Sequence, residues 1–186
     1  MTEPTGTISS NRIYDGRVVT LNVDQVRFPD GRVGQQEIVR HTGGSVVVPF
    51  LSDPHGEDPQ VMLIRQYRYC ANTYLFELPA GRPEPGEAPV QCAARELREE
   101  TGCVAAHLDP LTHGYSTPGF TDEQLHFFAA RDITRQETEF DVDEYVEVVP
   151  MPLSRALAMV QGGEIEDMKT ALGLLYAAGF YCGIER

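Results

Sequence analysis

Cysteine is scarce in this sequence of 186 residues, and its spacing gives no sign of a disulfide framework. The four positions are Cys70, Cys92, Cys103 and Cys182. They form neither a CxxC pair nor the dense pattern of a small secreted scaffold, so reduced thiols are expected. The N-terminus lacks a basic start followed by an apolar run, and no stretch reaches the roughly 18 apolar residues that span a bilayer. These absences favour a cytoplasmic protein without a membrane partner.

Positive charge is also in short supply. The chain carries 15 lysine and arginine residues against 28 acidic residues, which gives a formal net charge of −13. Such a surface repels nucleic acids and anionic lipid headgroups, so a nucleic-acid partner is not expected. A phosphate-bearing substrate would be repelled as well, unless cations or a few arginines intervene. A phosphate-binding function would therefore favour metal dependence.

The start of the chain has the pattern of antiparallel strands. From Arg12 to about His41, apolar and polar residues alternate, and turn signals interrupt them at Asp15-Gly16 and Pro29-Asp30-Gly31. The composition, 41% apolar and 23% charged, is that of a soluble globular protein. A chain of this length suits one compact domain with an N-terminal extension.

The rest of the chain mixes extended and helical segments. Residues 43–51 form a continuous β-branched run, typical of a central strand buried on both faces. Residues 52–59 predict a hairpin connection to a strand over 61–69. A helix is predicted over Pro89–Thr101, and Gly102 suits its C-terminal αL position. Further strands are predicted at 73–81, 125–130 and 145–151, and further helices at 154–161 and 164–178.

The helix over Pro89–Thr101 combines two stripes, because side chains advance by about 100° per residue. The apolar stripe comprises Val90, Ala94, Leu97 and Thr101, and the acidic stripe comprises Glu96, Glu99 and Glu100. Carboxylates crowded within one turn repel each other, and a divalent cation relieves that repulsion. Oxygen ligands favour hard ions such as Mg²⁺ or Mn²⁺ over zinc. The apolar face is expected to pack while the acidic face coordinates a metal.

Residues 81–103, GRPEPGEAPVQCAARELREETGC, resemble the Nudix signature. That signature reads Gly, five residues, Glu, seven residues, then Arg-Glu-apolar-x-Glu-Glu-x-Gly-apolar. The residues in register are Gly81, Glu87, Arg95, Glu96, Leu97, Glu99, Glu100 and Gly102. Cys103 stands where the family usually has an aliphatic residue, a mild departure because cysteine is itself a small hydrophobe. The chain is thus identified as a member of the Nudix hydrolases, magnesium-dependent enzymes that cleave pyrophosphate bonds.

The resemblance also implies which atoms hold the metal. The expected ligands are the carboxylates of Glu96, Glu99 and Glu100 and the backbone carbonyl of Ala80. Mg²⁺ is the expected cofactor, with Mn²⁺ as a substitute. Arg95 lies four residues before Glu99, so it is expected to orient that carboxylate. A helix face that is merely charged and solvated is the alternative.

Segments outside the signature resemble the ADP-ribose pyrophosphatase branch of the family. They are RQYRY at 65–69, ELPAG at 77–81, YSTPGFTDE at 115–123, DVDEYVEVV at 141–149 and the ending at 163–176. This likeness assigns substrate binding to Arg68, Glu77, Arg82 and Pro118. Two structural alternatives stay open. Arg68 and Glu77 could only pair with each other, and Pro118 could only form a turn. The final helix is expected to pack, with Lys169 as a candidate phosphate contact.

The same likeness supplies a candidate general base. Glu144 matches the loop glutamate ahead of the final strand in relatives, where it serves as base or as an additional metal ligand. Glu144, Glu99 and Arg95 are therefore the expected catalytic residues. A shifted loop register would make the base another acidic residue, and a loop that is only solvated is the further alternative. Those other acidic residues are Glu137, Glu139, Asp141 and Asp143.

Four aromatic residues lie in or beside the segments of the branch. They are Tyr67, Tyr69, Tyr115 and Phe120. Each could stack on adenine, but aromatic residues at strand spacing more often pack in a core, and that is the expectation here.

The resemblance implies an α+β protein with the Nudix fold: a mixed, curved β-sheet between helices (α/β/α) and an N-terminal antiparallel strand extension. Residues 1–40 would form the extension, which relatives use to build a homodimer, and residues 41–186 the hydrolase domain. The expected reaction converts ADP-ribose to AMP and ribose 5-phosphate. GDP-mannose, UDP-glucose or another nucleoside diphosphate sugar is the alternative substrate. A module that senses ADP-ribose without cleaving it is the alternative from another class.

Overall fold

The computed structural model describes residues 5–135 and 146–183, and these fall into two compact units. The N-terminal unit combines the chain up to Gly43 with Gly114–Gln124, and the main unit holds Gly44–His113 and the chain from Leu125 onward. Within the described ranges, no helix is long and apolar enough to cross a membrane.

The N-terminal unit is built on an antiparallel sheet. Its strands are β1 (Gly6–Asp15), β2 (Thr20–Arg27) and β3 (Val33–Arg40), in the order β1-β2-β3. The turns fall where they are predicted. Gly16 donates its N–H to the carbonyl of Val19 at 3.0 Å, and Phe28 donates to the carbonyl of Arg32 at 2.9 Å. The predicted antiparallel extension is confirmed.

The chain after Gly43 supplies the remaining strands and the helices. The strands are β4 (Gly44–Pro49), β5 (Gln60–Arg68), β6 (Thr73–Glu77), β7 (Ala80–Gly81), β8 (Cys103–Tyr115), β9 (Gln124–Arg135) and β10 (Val146–Pro152). The helices are α1 (Pro89–Thr101), α2 (Leu153–Gly162) and α3 (Met168–Tyr176), and a π-helical turn spans Ala177–Tyr181. One sheet has the order β7-β4-β9-β8, in which β4 and β9 are parallel, and another has the antiparallel order β10-β5-β6.

Strand β4 lies at the centre of the main unit and is buried along its whole length, as predicted. Its side chains alternate between two apolar clusters. Val46 and Val48 pack in a cluster that contains Leu174 of α3, whereas Val47 packs in a cluster that contains Leu97 of α1. Helices therefore cover both faces of a mixed sheet, and the predicted α/β/α order is confirmed.

The predicted hairpin connection over 52–59 is confirmed for the chain reversal but not for continued pairing of β4 with β5. The chain does reverse there, because Leu51 donates its N–H to the carbonyl of Gln60 at 2.8 Å and Phe50 forms an isolated bridge with Val61. Beyond these contacts the strands diverge into different sheets. The turn residues of 52–59 indicate a reversal of direction, but they do not decide which strands pair afterwards.

Strand β8 is an element that the sequence pattern does not indicate. Over Cys103–Tyr115 the side chains show no regular alternation of burial, and Pro110 stands near the middle. Strand β8 lies at the edge of its sheet, where a residue without an N–H is tolerated because one side of the strand needs no ladder hydrogen bonds. The edge position therefore explains how this unpatterned segment remains extended.

Candidate active site

Helix α1 carries the signature residues and is anchored at both ends. Ser45 donates its hydroxyl to the carbonyl of Pro89 at 2.8 Å, which ties the first turn to β4. At the other end, Gly102 adopts the left-handed conformation (φ 68°) and donates its N–H to the carbonyl of Arg98 at 2.9 Å. The predicted limits of the helix are confirmed, so its acidic residues have the expected helical spacing.

The buried face of α1 differs from the predicted apolar stripe. Leu97 and Thr101 are buried as expected, but Val90 is 42% exposed and Ala94 is also exposed. The other buried residues are Cys92 and Ala93. The prediction of Val90 and Ala94 is wrong because the helix packs through its 93–97–101 row, which rotates the buried face away from both.

This rotation turns two carboxylates toward the protein. At about 100° per residue, positions 96 and 100 fall between positions 92 and 93 around the helix. The Glu96 side chain is only 13% exposed, whereas that of Glu99 is 47% exposed. Glu96 and Glu100 therefore lie beside the packed face of the helix, and their coordination of a metal stays a prediction.

Strand β7 lies next to the two carboxylates that turn toward the protein, those of Glu96 and Glu100. Ala80 donates its N–H to Oε2 of Glu100 at 2.9 Å. The next residue is Gly81, where a Cβ atom would overlap the carboxylate of Glu96. Glycine permits this close approach of the Glu96 carboxylate, and it is not needed for an unusual backbone conformation. The structure thus brings Ala80, Glu96 and Glu100 together at one end of β7.

Arg95 gathers the remaining acidic groups. Its guanidinium donates to both oxygens of Glu87 at 3.0 and 2.9 Å, to Glu96 at 2.7 Å and to Glu99 at 2.9 Å. It also donates to the carbonyl of Arg82 at 2.9 Å. The contact with Glu99 is the one that the helical spacing predicts.

Glu87 is a site residue whose role the sequence pattern does not reveal. Hydrogen bonds from Arg95 hold the pKa of Glu87 below its ordinary value, and the same bonds are the main reason why the pKa of Arg95 is raised. Both groups are therefore charged at neutral pH. The fixed place of Glu87 in the signature was the available signal, but its partner is eight residues away and becomes apparent only in the fold.

The donor chemistry of this cluster fits a hard divalent cation. Among the described residues, no group of three or more His, Cys, Asp or Glu side chains is already arranged to hold a metal ion, and several of these carboxylates contact Arg95 instead. Their donor atoms are nevertheless all oxygens, the set that Mg²⁺ prefers. Cys92 is a poor competitor, because burial raises the pKa of its thiol and only the thiolate is an effective ligand.

Arg68 and Glu77 form a bidentate ion pair. Arg68 donates from Nε and Nη2 to the two carboxylate oxygens at 2.6 and 2.8 Å, and Lys169 of α3 donates to the same carboxylate at 2.5 Å. Burial alone would raise the pKa of Glu77, but the bonds from Arg68 and Lys169 outweigh it and lower that pKa. Arg68 and Glu77 therefore do pair with each other, as the alternative interpretation expects. Substrate binding by this pair stays a prediction.

Pro118 belongs to the N-terminal unit. It lies in the segment 116–123, and Val39 of β3 donates its N–H to the carbonyl of Phe120 at 2.8 Å. A cavity of about 300 Å³ opens within this unit. Its lining residues are Gln36, Ile38, Arg40, Tyr115, Pro118, Gly119, Phe120, Thr121 and Asp122. Pro118 therefore lines a cavity, and its role in substrate binding stays a prediction.

The expected burial of the four aromatic residues is wrong. All of them are exposed: Tyr67, Tyr69, Tyr115 and Phe120. Tyr67 lies near the C-terminal end of β5, and Tyr69 follows the last residue of that strand. Tyr115 and Phe120 line the Pro118 cavity. Strand spacing alone does not distinguish a strand interior from its ends.

Glu144 lies outside the described residues, as do the alternative bases of its loop. Its assignment stays a prediction from the resemblance. The catalytic candidates with described positions are Glu99 and Arg95, which contact each other on α1.

Comparisons with known proteins bear on the family and the fold of this chain. Residues 41–168 match the NUDIX domain. The chain is 37% identical over 172 residues to the ADP-ribose pyrophosphatase of Bacillus subtilis (strain 168), covering 91% of this chain and 90% of the relative. It is 35% identical over 154 residues to the GDP-mannose pyrophosphatase of Yersinia enterocolitica, with 78% of each covered. A crystal structure of an ADP compounds hydrolase has the same fold, with a TM-score of 0.83 at 22% identity over 98% of this chain and 97% of that one.

The fold and the site define a class of enzyme in which a carboxylate-bearing helix packs against a central mixed sheet. The NUDIX match spans more than half of the chain, and the signature residues occupy the positions described above. The chain belongs to the Nudix hydrolase family. The resemblance inferred from residues 81–103 is confirmed.

Proposed function

We propose that this protein hydrolyses the pyrophosphate bond of a nucleoside diphosphate sugar and that its substrate is ADP-ribose. The arrangement on α1 is the observation that carries the proposal. Glu96 and Glu99 both contact the Arg95 guanidinium, at 2.7 and 2.9 Å, and Glu100 accepts the amide of Ala80 at 2.9 Å. Charged oxygens so close together repel one another. Their concentration beside a backbone carbonyl is explained if they bind cations that in turn bind a diphosphate.

The metal site is assigned to the carboxylates of Glu96, Glu99 and Glu100 and the carbonyl of Ala80. Mg²⁺ fits these donors, and Mn²⁺ is the expected substitute. When bound, the ion would polarise the pyrophosphate oxygens and offset charge that develops as the bond breaks. Arg95 offsets part of the carboxylate repulsion and orients Glu99.

The chemical step needs only water and a base. Water adds to one phosphorus of the pyrophosphate, its proton passes to Glu144, and the bond from that phosphorus to the bridging oxygen breaks. The products from ADP-ribose are AMP and ribose 5-phosphate. Glu144 is assigned from its place ahead of β10, and Glu99 and Arg95 complete the proposed catalytic set. No covalent enzyme intermediate is required.

Substrate recognition is assigned to Arg68, Glu77, Arg82 and Pro118. Glu77 holds the Arg68 guanidinium in a bidentate pair, so we infer that Glu77 orients Arg68 toward the substrate. The Bacillus relative is named for ADP-ribose, and its 37% identity over 91% of this chain supports that choice. GDP-mannose is the second candidate, because a relative of that name is 35% identical over 154 residues.

The wider context is proposed from the same reasoning. The NUDIX match covers residues 41–168, which supports a hydrolase domain over 41–186 preceded by an N-terminal extension over 1–40. The exposed Ile8 and Ile13 of β1 support the proposal that this extension joins two chains in a homodimer. The cysteines are free thiols, which suits the reducing cytoplasm. The net charge of −13 argues against a nucleic-acid or membrane-surface partner.

The activity is tested by incubating purified protein with ADP-ribose and MgCl₂ and measuring AMP by chromatography. Glu100→Gln keeps an oxygen that can accept the Ala80 amide but removes the charge, so activity should fall on the order of 100-fold. The matched control is Glu57→Gln, on an exposed loop of the same unit. Full activity in Glu100→Gln would contradict the metal assignment.

The substrate is tested with a panel of ADP-ribose, GDP-mannose and UDP-glucose. The proposal expects the highest kcat/KM for ADP-ribose, and a higher value for GDP-mannose would replace it with the second candidate. Tight binding of ADP-ribose without AMP formation would favour a sensor module and would contradict the hydrolase assignment.

A further inference from the structure

Helix α3 touches the segment Glu77–Ala80 through hydrogen bonds as well as apolar contacts. Thr170, in the first turn of α3, is completely buried. Its Oγ1 accepts the N–H of Leu78 at 2.7 Å and donates to Oδ2 of Asp167 at 2.5 Å. Asp167 also caps the helix by accepting the N–H of Thr170 at 3.0 Å. One hydroxyl therefore links the cap of α3 to a backbone amide 92 residues earlier.

Further contacts on both sides of Thr170 strengthen this link. Lys169 donates to the buried carboxylate of Glu77 at 2.5 Å and contacts Asp167 at 2.9 Å. One turn later, α3 passes so close that a Cβ atom on Gly173 would lie 2.6 Å from Cδ1 of Leu78. Helix α3 thus holds both Glu77 and Leu78.

The next two residues of the segment are held from the other side. Val47 of β4 donates its N–H to the carbonyl of Pro79 at 2.9 Å, and Ala80 donates its N–H to Glu100 at 2.9 Å. Four consecutive residues are therefore fixed in turn, the first pair by α3 and the second pair by β4 and α1. Only Leu78 and Pro79 separate the end of β6 from the start of β7, so a shift of Leu78 would displace Ala80 and, through its hydrogen bond, Glu100.

We propose that Thr170 and Lys169 are positioning residues that place the Ala80 carbonyl and the Glu100 carboxylate for metal binding. This inference rests on the proposed metal site. A helix that only packed against Leu78 could use valine at 170 and an apolar residue at 169, since burying a hydroxyl and an ammonium costs free energy unless they make specific bonds. Both groups make such bonds, and both bonds end on the segment that precedes the proposed carbonyl ligand.

The first test compares Thr170→Val with Thr170→Ser. Valine keeps the shape of threonine but cannot accept the Leu78 N–H, whereas serine retains the hydroxyl. Binding of Mn²⁺ to the substrate-free protein is measured by electron paramagnetic resonance of the free ion. Thr170→Val should bind Mn²⁺ about tenfold more weakly, as is typical when support of a metal ligand is lost, and Thr170→Ser should bind it about as tightly as the wild type. Hydrogen exchange of the Leu78 amide should be faster in Thr170→Val alone.

Two further variants make the outcome decisive. Lys169→Met removes the bond to Glu77 and tests the same link if Thr170→Val fails to fold. The matched control is Leu172→Ala, at a half-exposed position of α3. Weaker Mn²⁺ binding in Glu100→Gln together with unchanged binding in folded Thr170→Val or Lys169→Met would overturn this inference and leave the proposed function standing. Unchanged Mn²⁺ binding in Glu100→Gln would overturn the proposed metal site itself. If Thr170→Val only destabilised the fold, its unfolding midpoint would fall and Thr170→Ser would not restore Mn²⁺ affinity. That result would also contradict a positioning role for the hydroxyl.

Discussion

At the scale of single residues, Arg95 organises the acidic helix. Its planar guanidinium reaches Glu87, Glu96, Glu99 and the carbonyl of Arg82 at once. Lysine offers only one nitrogen and could not make this set of contacts. The carboxylates are therefore oriented before any ion arrives, which lowers the cost of assembling a metal site from groups that repel each other.

The pair of Arg95 and Glu87 predicts a dependence of stability on pH. The pKa of Glu87 is held below its ordinary value of 4.5, chiefly by hydrogen bonds from Arg95. A carboxyl with a lowered folded-state pKa stabilises the fold above its unfolded pKa, and this contribution disappears as pH falls through the folded value. In urea unfolding, wild type should be more stable than Glu87→Gln at pH 7, and the difference should shrink below about pH 4.5. A difference that stays constant down to pH 3 would contradict the assigned pair.

Gly81 leads to a second prediction at this scale. Because a Cβ atom there would overlap the Glu96 carboxylate, Gly81→Ala should displace that flexible side chain and lower AMP formation by about tenfold to a hundredfold. The fold should tolerate the change, since the displaced group is the far end of a side chain. Gly162→Ala, where the added Cβ meets only Glu164 at 3.9 Å, is the matched control. Unchanged activity in Gly81→Ala would show that the position of Glu96 is unimportant.

At the scale of elements, the segment 116–123 is attached to the strand β3 and the residue that follows it. Arg40 donates to Asp122 at 3.1 Å and to the buried Asp24 at 2.5 Å. Asp122 also accepts the N–H of His41 at 2.9 Å, and His41 lies 3.2 Å from Glu123. The segment that carries Pro118 is therefore positioned by the N-terminal sheet, to whose unit it belongs.

Asp122→Ala should impair substrate binding more than chemistry. Loss of its bonds to Arg40 and His41 frees the segment that carries Pro118, so KM for ADP-ribose should rise about tenfold, which corresponds to roughly 1.4 kcal/mol, with a smaller change in kcat. The control is Asp30→Ala, which removes an exposed ion pair with Arg32 in a turn of the same unit. An unchanged KM would indicate that Pro118 takes no part in recognition.

At the scale of the whole molecule, the N-terminal unit exposes apolar side chains that its own sheet leaves uncovered. They are Ile8, Ile13, Tyr14, Val18 and Val33. Every residue of β1 is exposed, and β1 is an edge strand of its sheet. Uncovered apolar residues on an edge strand are suited to an interface, and a second copy of this chain is the proposed occupant.

Ile13→Glu should therefore convert the proposed homodimer to a monomer. Ile13 is 55% exposed in the single chain, so a charge there costs little in the monomer but would be buried in the interface. Multi-angle light scattering should show roughly half the wild-type mass, and Ile13→Val is the control that keeps an apolar group. A wild-type protein that is already monomeric, or an Ile13→Glu dimer, would contradict the proposed interface.

Several features of the fold can be predicted from the sequence because their causes are local. The limits of α1 follow from Pro89 and Gly102, whose backbone preferences begin and end a helix without help from distant residues. The N-terminal strands follow from alternating polarity and two turn signals. Strand β8 escapes prediction because only its place at a sheet edge explains why Pro110 is tolerated.

The sequence by itself determined the helix, its acidic residues and the family to which they belong, since spacing along a helix and turn chemistry act over a few residues. Only the tertiary structure decided that Glu96 and Glu100 turn toward β7 and that Thr170 holds Leu78. These contacts join residues 20 and 92 positions apart. Their geometry depends on how the helices pack on both faces of the sheet, and a local pattern carries no information about the rotation of a helix against its neighbours.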